Sequence, residues 1–589
     1  MKREILEIQS YLNEHQIDAY IVFTNDDHGS EYVVDHYKFR AFLSGFTGSD
    51  GTLLITRDKS LLWTDGRYFI QAGAQLRGSG IELMKSGEPD VPTLTKYLSQ
   101  LGKAPHIAFD FRIATVAFVN RLKKACPDVV LIDERELEDR IWQDRPDVPL
   151  TKVWFLSDRM AGLSISEKLK MIRKSMKEES CASVLLTALD DVAWTYNMRG
   201  SDIMYNPVNY AFSYISDDEA VIYMNRSKLD LKGEMVLKNN GIIVKPYDAF
   251  YEDVATIKGP VLIDEGKTNY ATLHLLGDKA RHTEIFPVCR FKSLKNATEI
   301  KNMKKAHLDD AVAMIKFMRY LKKEAVAQGA TEISVADQLE QYRRESKDFL
   351  DLSFDTICGT GPHGAIVHYS ATPETDERIR TGTFCLVDSG AQYLTGTTDI
   401  TRTYAVGKVS NEMKKDYTIV LKSHIALARA VFPKGTSGYD LDMLAREPLY
   451  EKCLDFRHGT GHGVGYILNV HEGPQRISNK FRSVESLKAM EPGMVTSDEP
   501  GLYIEGRYGI RHENLILCVE YKESEYGTFY RFEPLTWVPF DLDAVDGSLL
   551  TFEEKAWLND YHKTVRKKIM PRLSDPSLVR YLEKVTRSI

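Results

Sequence analysis

Apolar positions over the first 290 residues trace the same pattern twice. Ile5, Ile8 and Leu12 recur at helical spacing and lead into the short apolar run Ala19-Tyr-Ile-Val-Phe23, which reads as a buried strand. Leu169, Ile172 and Met176 repeat the helical spacing, and Ala182-Ser-Val-Leu-Leu186 repeats the strand. Each round then reaches a Gly-Ser-Asp word, at 48–50 and at 200–202. Strand-like pairs follow, at 51–55 and 60–63 in the first round and at 210–214 and 220–223 in the second. Two matches in the same order imply two α/β domains of similar fold, 1–146 and 147–290. Asp144-Arg-Pro-Asp-Val-Pro149 marks their boundary, and Phe286-Pro287 marks the next.

The third stretch, 291–589, opens with a helix signal. Asn296 can cap it and Glu299 can complete a capping box. Ile300, Met303, His307, Met314, Ile315 and Met318 then give an apolar stripe. From Asp355 to Tyr521 short β-rich runs are punctuated by glycine, the texture of an antiparallel sheet flanked by helices. The charged, largely helical tail 550–589 is either a cap on this domain or part of an oligomer interface. The expected fold class is therefore α/β twice over, followed by α+β.

Composition narrows the function. The 589 residues are 43% hydrophobic and 27% charged, ample for three or four cores. A net charge of -7 argues against a nucleic-acid partner. Apolar runs stay below the roughly 18 residues of a membrane span, and the N-terminus lacks the apolar centre of a signal peptide. The seven cysteines form no CxxC pair, so thiolate zinc and a disulfide framework are both unexpected. Reduced thiols and a cytoplasmic location fit best.

Four tight segments of the third domain carry residues able to bind metal. Asp388 ends the strand-forming run 383–388 and Asp399 follows a Gly-Thr-Thr turn. His462 lies in His458-Gly-Thr-Gly-His462-Gly-Val-Gly465, Glu499 in Asp498-Glu499-Pro500-Gly501, and Glu513 in Arg511-His512-Glu513-Asn514. The turn after Asp388 can fold the chain back so that Asp399 faces it across a hairpin. Singly, each residue has an ordinary reading as a cap, an Asx-turn or a strand-face charge. Together, four carboxylates and one neutral imidazole balance two divalent cations and repel one another without them. Oxygen-dominated ligands favour manganese, cobalt or zinc.

At these residues the sequence resembles the pita-bread metallopeptidases, which include methionine aminopeptidases, prolidases and aminopeptidase P. The local wording is most similar to the long, three-domain form of aminopeptidase P, over the whole chain. The resemblance implies two creatinase-like α/β domains ahead of a pita-bread catalytic domain. It implies a dinuclear centre, commonly manganese, with Asp388, Asp399 and Glu513 on one ion and Asp399, His462, Glu499 and Glu513 on the other. By the same resemblance, His368 stabilises the tetrahedral intermediate or leaving group, and His458 and His471 shape the site around proline. Arg511 organises the site near Glu513, and Arg67 reaches the substrate from the first domain, within its subunit or across an interface. A homodimer is expected. His512 departs from the motif's usual apolar residue and, on a strand, faces away from its neighbours, so it is left outside the site.

The activity implied is removal of the first residue of a peptide whose second residue is proline, through a hydroxide bridging two metals, with Glu499 relaying its proton. Proline makes a tertiary amide without an N–H, which suits a site that packs on the ring. The alternatives are a prolidase cutting Xaa-Pro dipeptides, a methionine aminopeptidase, and a metal-free scaffold that only binds peptides. Intact ligand positions argue against the last.

Overall fold

The computed structural model describes residues 2–479 and 485–589, and the chain forms two compact units, Met1–Val288 and Cys289–Ile589. In the first unit, helix α1 (Arg3–Glu14) buries Ile5, Ile8 and Leu12. It covers a six-stranded sheet of β1 (Ala19–Val22), β2 (Thr52–Thr56), β3 (Ser60–Thr64), β4 (Glu82–Lys85), β5 (His106–Phe109) and β6 (Val130–Asp133). The order is β4-β3-β2-β1-β5-β6, with β1 antiparallel to β2 and parallel to β5.

The second half of that unit repeats the plan. Helix α2 (Ile165–Glu178) buries Leu169, Ile172 and Met176. Strands β7 (Ser183–Leu186), β8 (Phe212–Ser216), β9 (Ala220–Tyr223), β10 (Ile243–Lys245), β11 (Val261–Leu262) and β12 (Ala280–Arg281) run β10-β9-β8-β7-β11-β12. The senses match as well, β7 being antiparallel to β8 and parallel to β11. One expected strand shifts. The run predicted at 210–214 forms its ladder only from Phe212, because the Tyr210 amide donates instead to the Asp202 carboxylate, 2.8 Å away.

In the second unit, helix α3 (Ala297–Tyr320) starts on the expected capping box of Asn296 and Glu299. It buries Met303, Met314, Ile315 and Met318, while His307 sits in the same stripe with Nδ1 against the Met303 carbonyl at 2.8 Å. Strands β13 (Ile357–Thr360), β14 (Thr383–Ser389) and β15 (Ile400–Val406) make an antiparallel sheet in that order. Four more, β16 (Val431–Pro433), β17 (Val495–Asp498), β20 (Asn514–Ser524) and β21 (Gly527–Pro534), pair as β16-β21-β20-β17. The hairpin β18 (Gly501–Ile504) and β19 (Tyr508–Arg511) stands apart.

The antiparallel texture is as expected, but it is divided among several small sheets. Pro500 between β17 and β18 has no N–H to continue a ladder. Helix α4 (Gly438–Tyr450) lies against the strand at Arg476–Ile477. Helix α5 (Phe552–Ile569) puts Leu558, Val565 and Ile569 into one core with Val387, Tyr404 and Met314, so one face of the tail packs into this unit's core. Among the described residues no disulfide forms, and no helix is long and apolar enough to cross a membrane.

Candidate metal centre

The hairpin of β14 and β15 sets the first two carboxylates. Asp388 pairs with Thr401 and Ser389 with Ile400, so Asp399 falls just beyond the ladder. Side chains two residues apart share a face, which puts Asp399 diagonal to Asp388. Gly390 allows the tight return: a Cβ there would meet the Thr398 carbonyl oxygen at 2.0 Å. Glu513 arrives from the segment linking β19 to β20, its amide donating to the Thr401 carbonyl at 3.1 Å. Its carboxylate accepts from the Thr401 hydroxyl at 2.7 Å.

Glycines bring in the remaining two. A Cβ on Gly461 would meet the Ser497 carbonyl oxygen at 2.0 Å, and one on Gly463 the Glu472 carbonyl oxygen at 2.0 Å. That closeness carries His462 beside Glu499, whose amide donates to the Thr460 carbonyl at 2.8 Å. The His462 Nε2 lies 3.5 Å from Asp399 Oδ2 and 3.7 Å from Glu499 Oε1. Ligand atoms of Asp399, His462 and Glu513 all fall within 4.8 Å of one another.

These groups are poorly suited to one another's company unless something positive joins them. His462 Nδ1 is 2.9 Å from the Gly463 carbonyl, which only accepts, so Nδ1 carries the ring proton and Nε2 presents a lone pair to carboxylates. Burial, with His471 adding to it, lowers the His462 imidazole to about 4. Burial pushes the Asp399 carboxyl up to about 6, while His471 and Arg511 pull it down. Glu513 is raised well above the usual carboxylate range by burial and by Asp399, Asp388 and Glu499, and Glu499 is raised by burial. Asp388 and Asp399 each bury an Oδ1 with no hydrogen-bond partner. Acceptors facing acceptors with orphaned oxygens fit divalent cations, whose charge reverses this electrostatic logic.

A second layer fixes the geometry. Arg511 Nη2 reaches Asp388 Oδ2 at 2.6 Å, and Nη1 donates to the Tyr503 hydroxyl at 2.6 Å. Tyr503 in turn donates to His458 Nε2 at 2.8 Å, and His458 Nδ1 donates to the Gly459 carbonyl at 2.7 Å. Burial, with Arg511 adding to it, holds the His458 imidazole well below its ordinary value, so it is neutral. His471 stacks edge-on against His462, with ring centroids 4.3 Å apart. His368 follows Val367, whose carbonyl lies 3.4 Å from Arg511 Nη2, and is half-buried. Arg67 lies in the first unit, where Asp65 takes its Nη2 at 2.7 Å.

The sequence reading missed Tyr503, which joins His458 to Arg511, and Thr401, which touches both Glu513 and Arg511. It also missed Arg446 of α4, which is buried and donates to the His458 carbonyl at 2.8 Å. Arg402, fully buried, donates to the Glu513 carbonyl at 2.6 Å. The run of three consecutive polar residues, Thr401-Arg402-Thr403, inside a strand was the available signal. His512 is buried away from the cluster, edge-on to Tyr417.

Comparison with known proteins gives the family. Residues 301–520 match the model of metallopeptidase family M24, and residues 528–589 match the C-terminal region of that family. Residues 5–141 and 144–299 each match a creatinase/prolidase N-terminal domain. A probable Xaa-Pro aminopeptidase P of Neurospora crassa is 40% identical over 95% of this chain and 85% of its own length. Aminopeptidase P2 of Arabidopsis thaliana is 38% identical over 97% of this chain and 86% of its own length. The crystal structure of an X-prolyl aminopeptidase from Caenorhabditis elegans, described as a cytosolic enzyme with a di-nuclear active site, superposes with a TM-score of 0.94. That protein is 35% identical, and the match covers 100% of this chain and 99% of the other. A Bacillus anthracis Xaa-Pro dipeptidase, 26% identical with a TM-score of 0.51, matches over 99% of its length but 64% of this chain. The chain belongs to metallopeptidase family M24, in the branch of the Xaa-Pro aminopeptidases P.

Proposed function

We propose that the protein is a two-metal aminopeptidase that hydrolyses the first peptide bond of substrates with proline in second position. The observation that carries this is the cluster of Asp388, Asp399, His462, Glu499 and Glu513, in which lone pairs converge with no positive charge of their own. Asp388, Asp399 and Glu513 would hold one ion and Asp399, His462, Glu499 and Glu513 the other; the donors favour manganese, cobalt or zinc, and the family resemblance favours manganese among them. Two bound cations supply an acidified water and a polarised carbonyl.

The protein's own groups do the rest. Glu499, raised by burial, is suited to take a proton and return it to the leaving nitrogen. His368 would donate to the developing oxyanion. Neutral His458, fixed by Tyr503, and His471, edge-on to His462, would border the proline ring. Arg511 pairs with Asp388 and orients it, and Arg67 would reach the substrate from the first unit. A division into domains 1–146, 147–290 and 291–589, a homodimer and a cytoplasmic location complete the reading.

A peptide panel tests it. Xaa-Pro-Xaa peptides should be cleaved at the first bond far faster than proline-free peptides of equal length. Equal turnover would remove the proline assignment, and cleavage confined to Xaa-Pro dipeptides would make the protein a dipeptidase.

A further inference from the structure

The first unit holds a cavity of about 570 Å³ between its two α/β halves, walled by Asp27, Asp110 and Arg112 from one half and Tyr210, Lys228 and Tyr247 from the other. Its volume lies within the usual range for small-molecule sites. Much of the wall is already spoken for. Asp27 accepts from Tyr37 at 3.1 Å and from Tyr247 at 2.5 Å, and Lys228 pairs with Asp202. The Tyr247–Asp27 contact ties the halves together, and the other two fix the cavity wall within each half.

Arg112 and Asp110 differ from the rest. The Arg112 guanidinium lies over the Tyr251 ring, Cζ 4.2 Å from its centroid, and forms no ion pair among the described residues. Its Nε is sealed from solvent and has no hydrogen-bond partner. A buried donor left in that state costs about 1–3 kcal/mol, so its edge is set to receive an acceptor from elsewhere. Asp110 stands two residues away on the same wall. One of its oxygens accepts the Arg112 backbone N–H at 2.7 Å, and it makes no ion pair with the Arg112 side chain. Burial pushes its carboxyl up to about 6, with Asp133 adding to it, which leaves it ionised at neutral pH.

Two opposite charges thus share one wall without neutralising each other. A guanidinium stacked on a ring keeps its planar fork for a bidentate carboxylate, while a partly buried carboxylate takes an ammonium. We propose that this cavity is a second ligand site, separate from the metal centre, that binds a small zwitterion of dipeptide size, its carboxylate on Arg112 and its ammonium by Asp110.

The test is calorimetric titration of the metal-loaded protein with alanyl-alanine, with its N-acetyl derivative and with its amide. The free dipeptide should bind, and both capped forms should bind at least about tenfold more weakly. Arg112→Met and Asp110→Asn should each weaken the free dipeptide to the same degree while turnover of Xaa-Pro-Xaa peptides persists. Protection of Arg112 from phenylglyoxal by the dipeptide, read by mass spectrometry on the unaltered protein, serves if a variant fails to fold. Equal binding by the capped forms, undiminished binding by folded variants, or modification of Arg112 at the same rate with and without millimolar dipeptide would overturn the proposal.

Discussion

At the scale of single residues, Arg511 holds the centre together. It is buried and ties Asp388 to Tyr503 and, through that hydroxyl, to His458. Arg511→Met leaves a buried carboxylate without its partner, which costs about 3–5 kcal/mol in such pairs. Chemical denaturation should show a loss of that order in the metal-free protein, and turnover should collapse even with metal supplied. The acidic cluster also fixes a pH response. Asp399 moves from an unfolded value near 3.8 to about 6 in the folded chain. Between those values Asp399 binds more protons in the folded state than in the unfolded state, so its own contribution to metal-free stability falls as pH rises through the window, opposed by His462, whose imidazole is lowered to about 4. The stability of the stripped protein relative to Asp399→Asn should therefore decline from about pH 4 to above pH 6, and divalent cations should restore most at the upper end. A stripped protein that gains stability relative to Asp399→Asn across that range would contradict the account.

At the scale of elements, the spacing of carboxylates and glycines was legible because the constraints are local. A seven-residue strand with Asp388 as its last residue but one, a short return and a second strand from Ile400 bring two acids together by register alone. The capping box at Asn296 and Glu299 was legible for the same reason. Tyr503 and Arg402 were not, since their partners lie 45 and 111 residues away in sequence, at His458 and Glu513. Strand boundaries failed where a side chain outbid the ladder, as Asp202 does for the Tyr210 amide. The glycines of the His462 segment make a further prediction. Gly461→Ala drives a methyl group against the Ser497 carbonyl, 2.0 Å from where it would sit. Overpacking of this kind costs about 1–3 kcal/mol. The variant should melt lower and bind metal weakly in a calorimetric titration. Unchanged affinity would mean that the segment relaxes without moving His462.

At the scale of the whole molecule, the duplicated sheets were visible as a repeat of helix, strand and Gly-Ser-Asp, and their orders and senses coincide strand for strand. The tail was left open between a cap and an interface. Its helix α5 buries Leu558, Val565 and Ile569 in the core beneath the metal-bearing hairpin, and Tyr561 bonds the Thr536 carbonyl at 2.9 Å and contacts Arg402 at 3.3 Å. Arg402 in turn holds the backbone of Glu513, so the C-terminal region supports a metal ligand as well as the core. Long-range bonds of this kind leave no periodic trace, which is why composition and spacing could not choose between the two roles.

The central claim is that the five-residue cluster works only when two cations occupy it. Titration of the metal-stripped protein with manganese, reading turnover of an Xaa-Pro-Xaa peptide against bound metal, tests it most directly. The account predicts negligible turnover without metal and full turnover only as the second ion per chain binds, with Asp399→Asn abolishing both. Full activity in the stripped protein, or a plateau after a single ion, would contradict it.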